Sequence, residues 1–419
     1  MNAQAAAEAA RVPLADIDVS DPELHRRDVV TEYLRRLRKE APVHYCANSA
    51  FGSYWSVTRF HDIMQVDMNH RQFSSDGTVV IDDQFFSGGH IENEKKRSSF
   101  IVLDPPHHTS RRSAVAPGLA PANLLKLEAG IRQRTQELLD SLPVEETFDW
   151  VDNVAIELTM RMLAILFDHP FEKRREMLHW SNVVIGFPGD GVVESWEHRN
   201  RVMTEIHEYF DRVFKERRAN PVGHDLITML AKSEVMSDLS PAEFLGTMTL
   251  LMTGGNETTR NSMSGSVLAM EQFPGELEKL KANPALVPSM VSEVIRWQNP
   301  VSYMRRTTTE DVELQGTTIP KGERVVIWYL SGNRDEEVFE RPDDFIIDRP
   351  NPRQHLSFGF GIHRCLGNRL AEMQLRILWE EILPRFDRIE MVGEPTRIHS
   401  NMFRGFHTMP VRLHRKTNA

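Results

Sequence analysis

The sequence predicts a mainly α-helical protein with a small β region. Apolar residues recur at helical spacing over long stretches, most clearly over 240–272 and 368–380. By contrast, strand-like runs are short and confined to two regions, near 43–58 and near 301–330. We therefore expect helices to supply most of the core and the strands to form a β-rich corner.

Composition excludes several classes of protein. The chain has 419 residues, of which 40% are apolar and 26% charged, with a net charge of -10. These values are ordinary for a soluble globular protein and give no sign of nucleic-acid binding. No run of roughly 18 or more apolar residues occurs, so we expect no transmembrane anchor. The cysteines, Cys46 and Cys365, offer no disulfide framework and fit a reducing, cytoplasmic location.

The N-terminal part of the chain predicts short elements. Residues 1–20 are expected to be a flexible N-terminus, and 23–39 has the pattern of a charged amphipathic helix. Two short strands follow within 43–58. The segment 76–97 mixes glycines, phenylalanines and charges, so we interpret it as a mobile loop over a pocket, with disorder as the alternative.

A helix is predicted to start at the paired prolines Pro105 and Pro106, which end the preceding element. His108 and Arg112 lie one turn apart on this helix and share a face. Such a pair is either an ordinary solvated helix start or a carboxylate site. A guanidinium and an imidazole both suit carboxylate recognition when they are partly buried.

Helical patterns continue from 125 to 220, including Ala155–Phe167. We interpret these helices as scaffold. A break rich in glycine and proline at 186–191 interrupts the series, and we interpret it as a second lid over a pocket.

The longest helix is predicted over 240–272. Ser240 is its N-cap, Pro241 occupies the first helical position, and Glu243 stands three residues after the cap. At roughly 1.5 Å per residue this helix is on the order of 50 Å long. It is therefore long enough to cross the whole molecule.

The middle of this helix contains two adjacent glycines, Gly254 and Gly255. Each costs roughly 1 kcal/mol relative to alanine in a helix interior. The pair either lets another helix pack closely or opens a groove for a small molecule. One turn later, the Thr258 hydroxyl can reach the carbonyl group of Gly254 or a molecule in the groove. Leu251, Gly254 and Thr258 fall on one face, which we expect to line a site.

Beyond this helix, the sequence predicts further scaffold. Glu293 and Arg296 lie at i, i+3 on a helix, and a pair of this kind on a surface contributes well under about 1 kcal/mol. Short strands are expected at 312–314 and 324–329, on either side of a turn at 319–322.

The stretch around Cys365 predicts a loop that presents one thiolate. Gly359 and Gly361 permit positive φ, so the chain can fold tightly around the sulfur, and Phe358 would cover one side. A helix begins directly after Cys365, and its N-terminal dipole favours an anion there. The alternative is a buried free cysteine that packs as a small hydrophobic residue.

The pattern Phe-x-x-Gly-x-His-x-Cys-x-Gly in this loop resembles the haem-ligand loop of the cytochromes P-450, the haem-thiolate monooxygenases. The matching residues are Phe358, Gly361, His363, Cys365 and Gly367. The resemblance covers roughly residues 20–415 and implies the cytochrome P-450 fold, a triangular prism of helices around haem. It implies a single catalytic domain over 21–415, with haem b as cofactor and Cys365 as the axial ligand of its iron.

Other residues match motifs of that family. The resemblance implies that a cationic clamp holds the haem propionates: His108, Arg112, Arg306 and His363. Gly254 and Gly255 would leave room for dioxygen beside the haem, with Phe358 next to the sulfur. Glu257 and Thr258 match the acid and alcohol pair that relays protons to dioxygen. A buried network needed for folding around haem would comprise Glu293, Arg296 and Arg349.

The runs 253–265 and 356–379 resemble more closely the bacterial alkane terminal hydroxylases of this superfamily. This implies hydroxylation of medium-chain n-alkanes or alkyl compounds at the terminal methyl group. The expected pocket wall is Val80, Phe86, Phe187, Leu251, Val301, Met304, Met402 and Phe403. A wall without a charged anchor fits an alkane. The alternatives are a terpene or fatty-acid hydroxylase, or a haem sensor, against which Glu257 and Thr258 argue.

Electrons are expected from a 2Fe-2S ferredoxin and its NADH-dependent ferredoxin reductase, because no flavin or nicotinamide domain is fused to the chain. The partner would dock on the thiolate side, where Arg364, Arg369 and Arg376 can meet an acidic surface. The other expected partners are dioxygen and an apolar small-molecule substrate.

Overall fold

A computed structural model describes residues 3–82, 99–186, 191–223 and 225–416. The helices are α1 (Ala3–Arg11), α2 (Pro22–Arg26), α3 (Val30–Glu40), α4 (Phe60–Met68), α5 (His107–Val115), α6 (Pro121–Ser141), α7 (Glu157–Phe167), α8 (Arg174–Ile185), α9 (Trp196–Ala219), α10 (Leu226–Ala231), α11 (Glu234–Ser237), α12 (Pro241–Gln272), α13 (Pro274–Ala282), α14 (Val287–Gln298), α15 (Tyr329–Gly332) and α16 (Asn368–Arg385). A π-helical turn leads into α7, Val151–Ile156. Short 3-10 turns occupy Leu14–Asp16, Phe100–Val102, Ala116–Leu119, Phe171–Lys173, Pro284–Leu286 and Gly361–His363.

The strands are short and form small sheets. They are β1 (Val43–Cys46), β2 (Tyr54–Val57), β3 (Phe73–Ser74), β4 (Thr147–Asp149), β5 (Met304–Thr308), β6 (Val312–Leu314), β7 (Thr317–Ile319), β8 (Arg324–Ile327), β9 (Phe386–Met391), β10 (Thr396–Arg397), β11 (Phe406–Thr408) and β12 (Pro410–Arg415). The largest sheet has the order β1-β2-β8-β5-β3, in which β2 and β8 are parallel and the other pairs antiparallel. The smaller sheets are β4-β12-β9, β6-β7 and β10-β11. The prediction of a mainly α fold with a small β region is confirmed.

Helix α12 connects the two main hydrophobic cores. Its first half joins a cluster with α9 through Phe244 and Met252, and its second half joins a cluster with α14 and α16 through Met263 and Val267. The predicted capping box is present, because Ser240 N–H donates to the Glu243 carboxylate at 2.9 Å and Ser240 Oγ accepts from Glu243 N–H. α12 therefore holds a fixed central position from which its middle can face a site.

The N-terminal segment differs from the flexible segment that the sequence predicts over 1–20. Helix α1 packs against α3, and Ala5 and Ala9, one turn apart, are both buried. Arg36 of α3 donates to the carbonyl oxygen of Ala9 at 2.8 Å. Alanine has the highest helix propensity, so a tertiary surface that accepts its small side chains is enough to order the segment.

The amphipathic stretch 23–39 is two helices, α2 and α3, instead of one. The break contains Asp28, whose φ of 55° lies outside the right-handed helical region. The Asp28 carboxylate accepts hydrogen bonds from Arg404 at 2.8 Å and from Arg397 at 2.7 Å. These ion pairs with distant residues hold the break between α2 and α3 in place.

Parts of the two predicted lids lie outside the described residues. The loop predicted over 76–97 is described only as far as residue 82, and the break at 186–191 only at its ends. Phe86 and Phe187, both expected in the pocket wall, are outside the described residues. Among the described helices, none combines the length and the hydrophobicity needed to cross a bilayer.

Candidate functional site

A cavity of about 930 Å³ lies between α12, the loop before α16 and the residues around β5. Its lining brings together sequence-predicted residues from distant parts of the chain: Arg112, Leu251, Gly254, Gly255, Thr258, Val301, Met304, Arg306, Phe358, His363, Cys365, Met402 and Phe403. One cavity therefore contains the expected thiol, most of the expected cationic clamp, the glycine pair and most of the expected apolar wall.

The loop around Cys365 is folded as its glycines predict. Gly359 and Gly361 both have a φ of +66°, a region that other residues rarely adopt. A Cβ atom on Gly361 would collide with the carbonyl oxygen of Asp67. The N–H group of Cys365 donates to the carbonyl oxygen of Phe358 at 2.7 Å, which closes the loop beneath the sulfur. Cys365 is exposed to the cavity and the loop geometry fixes its position.

Opposing effects act on the Cys365 thiol. The surrounding protein raises the pKa of Cys365 by desolvation, which is the largest effect. Hydrogen bonding by the Gly367 and Asn368 N–H groups at the start of α16, together with the Arg112 guanidinium, lowers the same pKa. The helix terminus favours the anion, as expected, but does not offset burial. A bound cation at the sulfur would stabilise the thiolate further.

Asp67 is central to the site, although the sequence analysis did not single it out. Its carboxylate accepts hydrogen bonds from Arg306 at 2.6 Å, from the Tyr329 hydroxyl at 2.8 Å and from the N–H group of Phe360 at 2.7 Å. Asp67 and Arg306 are both buried. This carboxylate therefore positions both a clamp arginine and the loop that presents Cys365. No local motif marks it, because all three partners lie far away in the sequence.

The two clamp histidines meet although they are distant in sequence. The ring centroids of His108 and His363 are 4.3 Å apart. Burial lowers the pKa of His108 to about 4, and burial together with Arg306 lowers the pKa of His363 to about 2. Both rings are therefore neutral near pH 7. Both nitrogens of His108 and Nε2 of His363 are buried without a hydrogen-bond partner, whereas Arg112 donates to the carbonyl oxygen of Arg364.

The two glycines of α12 have different roles. A Cβ atom at Gly254 would meet nothing within 4 Å, since this position faces the cavity. A Cβ atom at Gly255 would lie 3.2 Å from Cδ2 of Leu163, on α7. The open groove and the close helix contact, which the sequence offered as alternatives, are thus both present at adjacent residues. The Thr258 hydroxyl donates to the carbonyl oxygen of Gly254 at 3.0 Å, as predicted.

Glu257 and Thr258 face different directions. Thr258 lines the cavity, but Glu257 is not among the lining residues and is only 1% exposed. Its Oε1 lies 2.5 Å from Nη2 of Arg260. Burial raises the pKa of Glu257, and the nearby Arg260 partly opposes this effect. Glu257 therefore points away from the cavity that Thr258 lines.

The apolar wall matches the prediction except at one described position. Val301 and Phe403 form an isolated β-bridge, which brings two expected wall residues together. Val79, not Val80, lines the cavity, and Val80 is buried in a small cluster with Val102. The expectation for Val80 was therefore wrong. Val79 and Val80 lie in a bend outside any helix or strand, so no periodicity of the sequence indicates which of the two faces inward.

The comparisons with known proteins identify the family. The family model for cytochrome P450 matches residues 24–414. The chain is a cytochrome P450. Among solved structures it resembles CYP153D17 from Sphingomonas sp. PAMC 26605, with a TM-score of 0.88 and 43% identity over 95% of this chain and 99% of that one. Cytochrome P450-153 from Novosphingobium aromaticivorans gives a TM-score of 0.86 and 42% identity, with the same coverage.

Relatives with named activities are also similar over almost their full length. The linalool 8-monooxygenase of Pseudomonas putida is 36% identical over 94% of this chain and 98% of its own length. The methyl-branched lipid omega-hydroxylase of Mycobacterium tuberculosis strain H37Rv is 32% identical over 96% of this chain and 95% of its own length. The expected membership of a haem-thiolate monooxygenase family is therefore confirmed.

Cytochromes P450 carry haem b, and haem b is the cofactor of this chain. The cavity residues fit that group. The Cys365 sulfur would be available for iron, and each neutral ring of His108 and His363 could donate its one N–H group to a propionate oxygen. Gly254 leaves open space in the cavity lining because it lacks a side chain.

The expected folding network of this cytochrome P450 is fully formed. Glu293 receives two hydrogen bonds of 2.7 Å from Arg296 and further bonds of 3.2 Å from Arg349. Glu293 and Arg296 are completely buried, and Arg296 also donates to the carbonyl oxygens of Asn333 and Pro342. The network thus ties α14 to the segments before the Cys365 loop.

Proposed function

We propose that this cytochrome P450 hydroxylates the terminal methyl group of medium-chain n-alkanes or related alkyl compounds to give primary alcohols. The observation that carries the proposal is the largely apolar wall formed by Leu251, Val301 and Phe403 in the cavity that also contains Thr258 and Cys365. The resemblance of 253–265 and 356–379 to alkane terminal hydroxylases supports it, as does the similarity to a methyl-branched lipid omega-hydroxylase.

In this proposal Cys365 would bind the haem iron, and Arg112, His108, Arg306 and His363 would bind the propionates. When bound, haem b supplies the redox chemistry that activates dioxygen and oxidises a C–H bond. Asp67 fixes the orientation of Arg306. The protein residues therefore bind and orient the cofactor, exclude water and supply protons.

Thr258 is our proposed proton donor at the cavity surface. Its hydrogen bond to the Gly254 carbonyl oxygen holds the hydroxyl beside the open groove. Glu257 is the proposed acid that resupplies this proton. Because Glu257 is paired with Arg260 outside the cavity lining, a change in its side-chain conformation or an intervening water must connect the two residues.

For hydroxylation at the terminal methyl group, the position of the substrate in the pocket must decide which carbon atom reacts. Internal C–H bonds of an alkyl chain are weaker than those of the methyl group, so the pocket must hold the chain end-on over the iron. Val301 and Phe403, joined by their β-bridge, are well placed to restrict the orientation of the chain. The pocket wall would thereby override intrinsic reactivity.

The product distribution from n-octane tests the proposed function. The haem-loaded protein is supplied with a surrogate ferredoxin, its reductase, NADH and n-octane. Mainly 1-octanol is the expected product. Mainly internal octanols, or NADH consumption without any alcohol, would overturn terminal hydroxylation of alkanes. A terpene substrate is the second candidate, favoured by the 36% identity to linalool 8-monooxygenase, and linalool is included in the same assay.

We further propose that a 2Fe-2S ferredoxin, reduced by an NADH-dependent reductase, supplies the electrons. Arg364 and Arg369 are exposed, and within the described part of the chain neither forms an ion pair. Arg376, also expected at the docking site, pairs with Glu128 at 2.6 Å and Glu380 at 2.9 Å. Its charge is therefore largely compensated, and the docking surface is narrowed to the other two arginines.

A further inference from the structure

Arg199 places a cation in the wall of the substrate cavity. It lies in the first turn of α9, is only 7% exposed and lines the same cavity as Thr258. The sequence predicts a wall without a charged anchor, and the structure differs from this prediction at Arg199. The sequence offered no local signal, because an arginine at the start of a charged helix usually faces solvent.

Among the residues that the structure describes, no acidic side chain compensates the charge of Arg199. Nη2 donates to the carbonyl oxygen of Val184 at 2.8 Å, while Nε is buried without a hydrogen-bond partner. The Trp196 ring lies 5.9 Å from Cζ of Arg199. Across the described residues, no carboxylate lies within ion-pair distance of Arg199, and burial alone lowers its pKa. Burying a charge without an oppositely charged partner costs free energy. The site therefore favours a ligand that carries a negative charge.

The rest of the cavity supports an anionic ligand group. Within the described residues, the lining contains neither aspartate nor glutamate, and its other arginines, Arg112 and Arg306, belong to the proposed propionate clamp. Three polar residues of α9 also line the cavity: Asn200, directly after Arg199, and Thr204 and His207, about one and two turns further along the helix. The hydrogen bond and ring contact of Arg199 are to α8 and α9 and involve no clamp residue. The polar patch around Arg199 is therefore distinct from the cofactor site.

We propose that Arg199 binds the carboxylate of a fatty acid, so that the enzyme prefers alkyl chains with an anionic head group over plain alkanes. The inference rests on the proposed function, which places the terminal methyl group beside Thr258. A head group held at Arg199 fixes the other end of the chain. Such anchoring restricts the substrate to the end-on orientation that terminal hydroxylation needs. A guanidinium is well suited to this role because it donates several hydrogen bonds in one plane.

A purely structural role for Arg199 makes a different prediction. Val184 lies in the last turn of α8, so Nη2 also caps the C-terminal carbonyl groups of that helix. If this were the only role, replacing Arg199 would weaken all ligands equally by disturbing the cavity wall. If Arg199 is also an anchor, the loss depends on the charge of the ligand.

Binding of three ligands of equal chain length separates these roles. Decanoate, methyl decanoate and n-decane are titrated into the haem-loaded protein, and dissociation constants are obtained from the ligand-induced change in the haem absorption spectrum. Arg199→Gln is compared with Arg199→Lys and with Arg201→Gln, which removes an exposed arginine from the same helix. We expect Arg199→Gln to weaken decanoate binding by about tenfold or more and to change the other two by less than about threefold. Arg199→Lys should retain most of the decanoate affinity, and Arg201→Gln all of it.

Two results would contradict the proposal that Arg199 anchors a carboxylate. One is a wild-type protein that binds decanoate no more tightly than its methyl ester. The other is an Arg199→Gln variant that either keeps its decanoate affinity or loses affinity for all three ligands equally. The position of hydroxylation on decanoate and n-octane is measured separately. Internal products with an intact charge-dependent affinity would refute the proposed function while leaving the anchor established.

Discussion

Thr258 is the one member of the predicted acid and alcohol pair that faces the cavity. Its hydroxyl donates to the carbonyl oxygen of Gly254 at 3.0 Å, whereas Glu257 is buried beside Arg260. Thr253 makes a comparable bond, to the carbonyl oxygen of Thr249 at 2.8 Å, and also lines the cavity. The chain thus offers a matched control for the role of the Thr258 hydroxyl.

Replacing Thr258 by alanine is expected to uncouple NADH consumption from hydroxylation. Without the hydroxyl, proton delivery at the cavity surface is impaired, so alcohol formed per NADH should fall by about tenfold or more. The measurement is the ratio of alcohol to NADH consumed with n-octane. Thr253→Ala should keep most of its coupling. Equal coupling in Thr258→Ala and wild type would contradict the proposed role.

His25 makes stability depend on pH. Its ring is buried, Nε2 lies 2.9 Å from the carbonyl oxygen of Val19, and Nδ1 has no partner. Burial lowers the pKa of His25 from 6.5 to about 4. Between about pH 4 and pH 6.5, His25 is therefore protonated in the unfolded chain and neutral in the folded chain. The folded protein is therefore fully stable with respect to His25 above about pH 6.5, and its free energy of unfolding decreases as the pH falls towards about 4.

The His25→Gln variant is expected to lose less stability on acidification. Glutamine can still donate to Val19 but does not titrate, so the fall in unfolding free energy between about pH 6.5 and pH 5 should be smaller by about 2 kcal/mol. Urea unfolding of the haem-loaded protein at several pH values measures how the free energy of unfolding changes with pH. The exposed His61, replaced in the same way, is the control. Parallel pH profiles for His25→Gln and wild type would exclude the effect.

At the scale of single elements, α12 is a helix held firmly in place that also leaves a gap in the cavity wall. Its capping box and buried faces fix the helix, and Gly254 interrupts the wall where the groove is needed. The Cys365 loop is similar in kind: Gly359 and Gly361 allow the tight turn, and the hydrogen bond from Cys365 N–H to Phe358 closes it. In both elements a missing side chain creates the space that the site requires.

Alanine at the two α12 glycines should have different effects on stability. Gly254→Ala adds a methyl group in open space, so helix propensity should raise the unfolding free energy by up to about 1 kcal/mol. Gly255→Ala places its methyl group 3.2 Å from Leu163, so crowding offsets the same gain. Thermal unfolding of the haem-loaded variants measures both effects. A lower midpoint for Gly254→Ala than for Gly255→Ala would show that the assignment of the two faces is wrong.

At the scale of the whole molecule, the Glu293 network connects helices to the segments that precede the Cys365 loop. Removing one member of a buried charge network leaves the other charges without compensation. Glu293→Gln is therefore expected to lower the unfolding free energy by about 3–5 kcal/mol. Asp211→Ala breaks an exposed ion pair with Lys215 on α9 and should cost less than about 1 kcal/mol. Chemical denaturation of both variants checks this, and similar losses would argue against a structural network.

Electron delivery is the second property of the whole molecule. Reversing the charge of Arg364 or Arg369 should slow haem reduction by a reduced ferredoxin about tenfold at low ionic strength and should flatten its salt dependence. Stopped-flow measurement of haem reduction gives the rate. Arg201→Glu on α9 is the control and should leave the rate unchanged. If all variants keep the wild-type rate and salt dependence, the ferredoxin docks elsewhere.

Much of the site could be predicted because its information is local. The glycines of the Cys365 loop, the capping box of α12 and the spacing of His108 and Arg112 each depend on residues a few positions apart. The pocket wall was predicted less well. Val80 was expected where Val79 lines the cavity, since in an irregular segment the packing of distant residues decides which side chain faces inward.

The sequence by itself determined the family, the thiol that faces the cavity and the helix that lines it, because fixed local spacings specify turns, caps and helix faces. Only the tertiary structure decided which partners these residues have. Asp67 holds Arg306 across 239 positions of the chain, Glu257 turns towards Arg260, and Arg199 is buried in the cavity wall with no counter-ion among the described residues. Such contacts depend on how distant helices pack, and burial, not local pattern, decides whether a charge is solvated or available to a substrate.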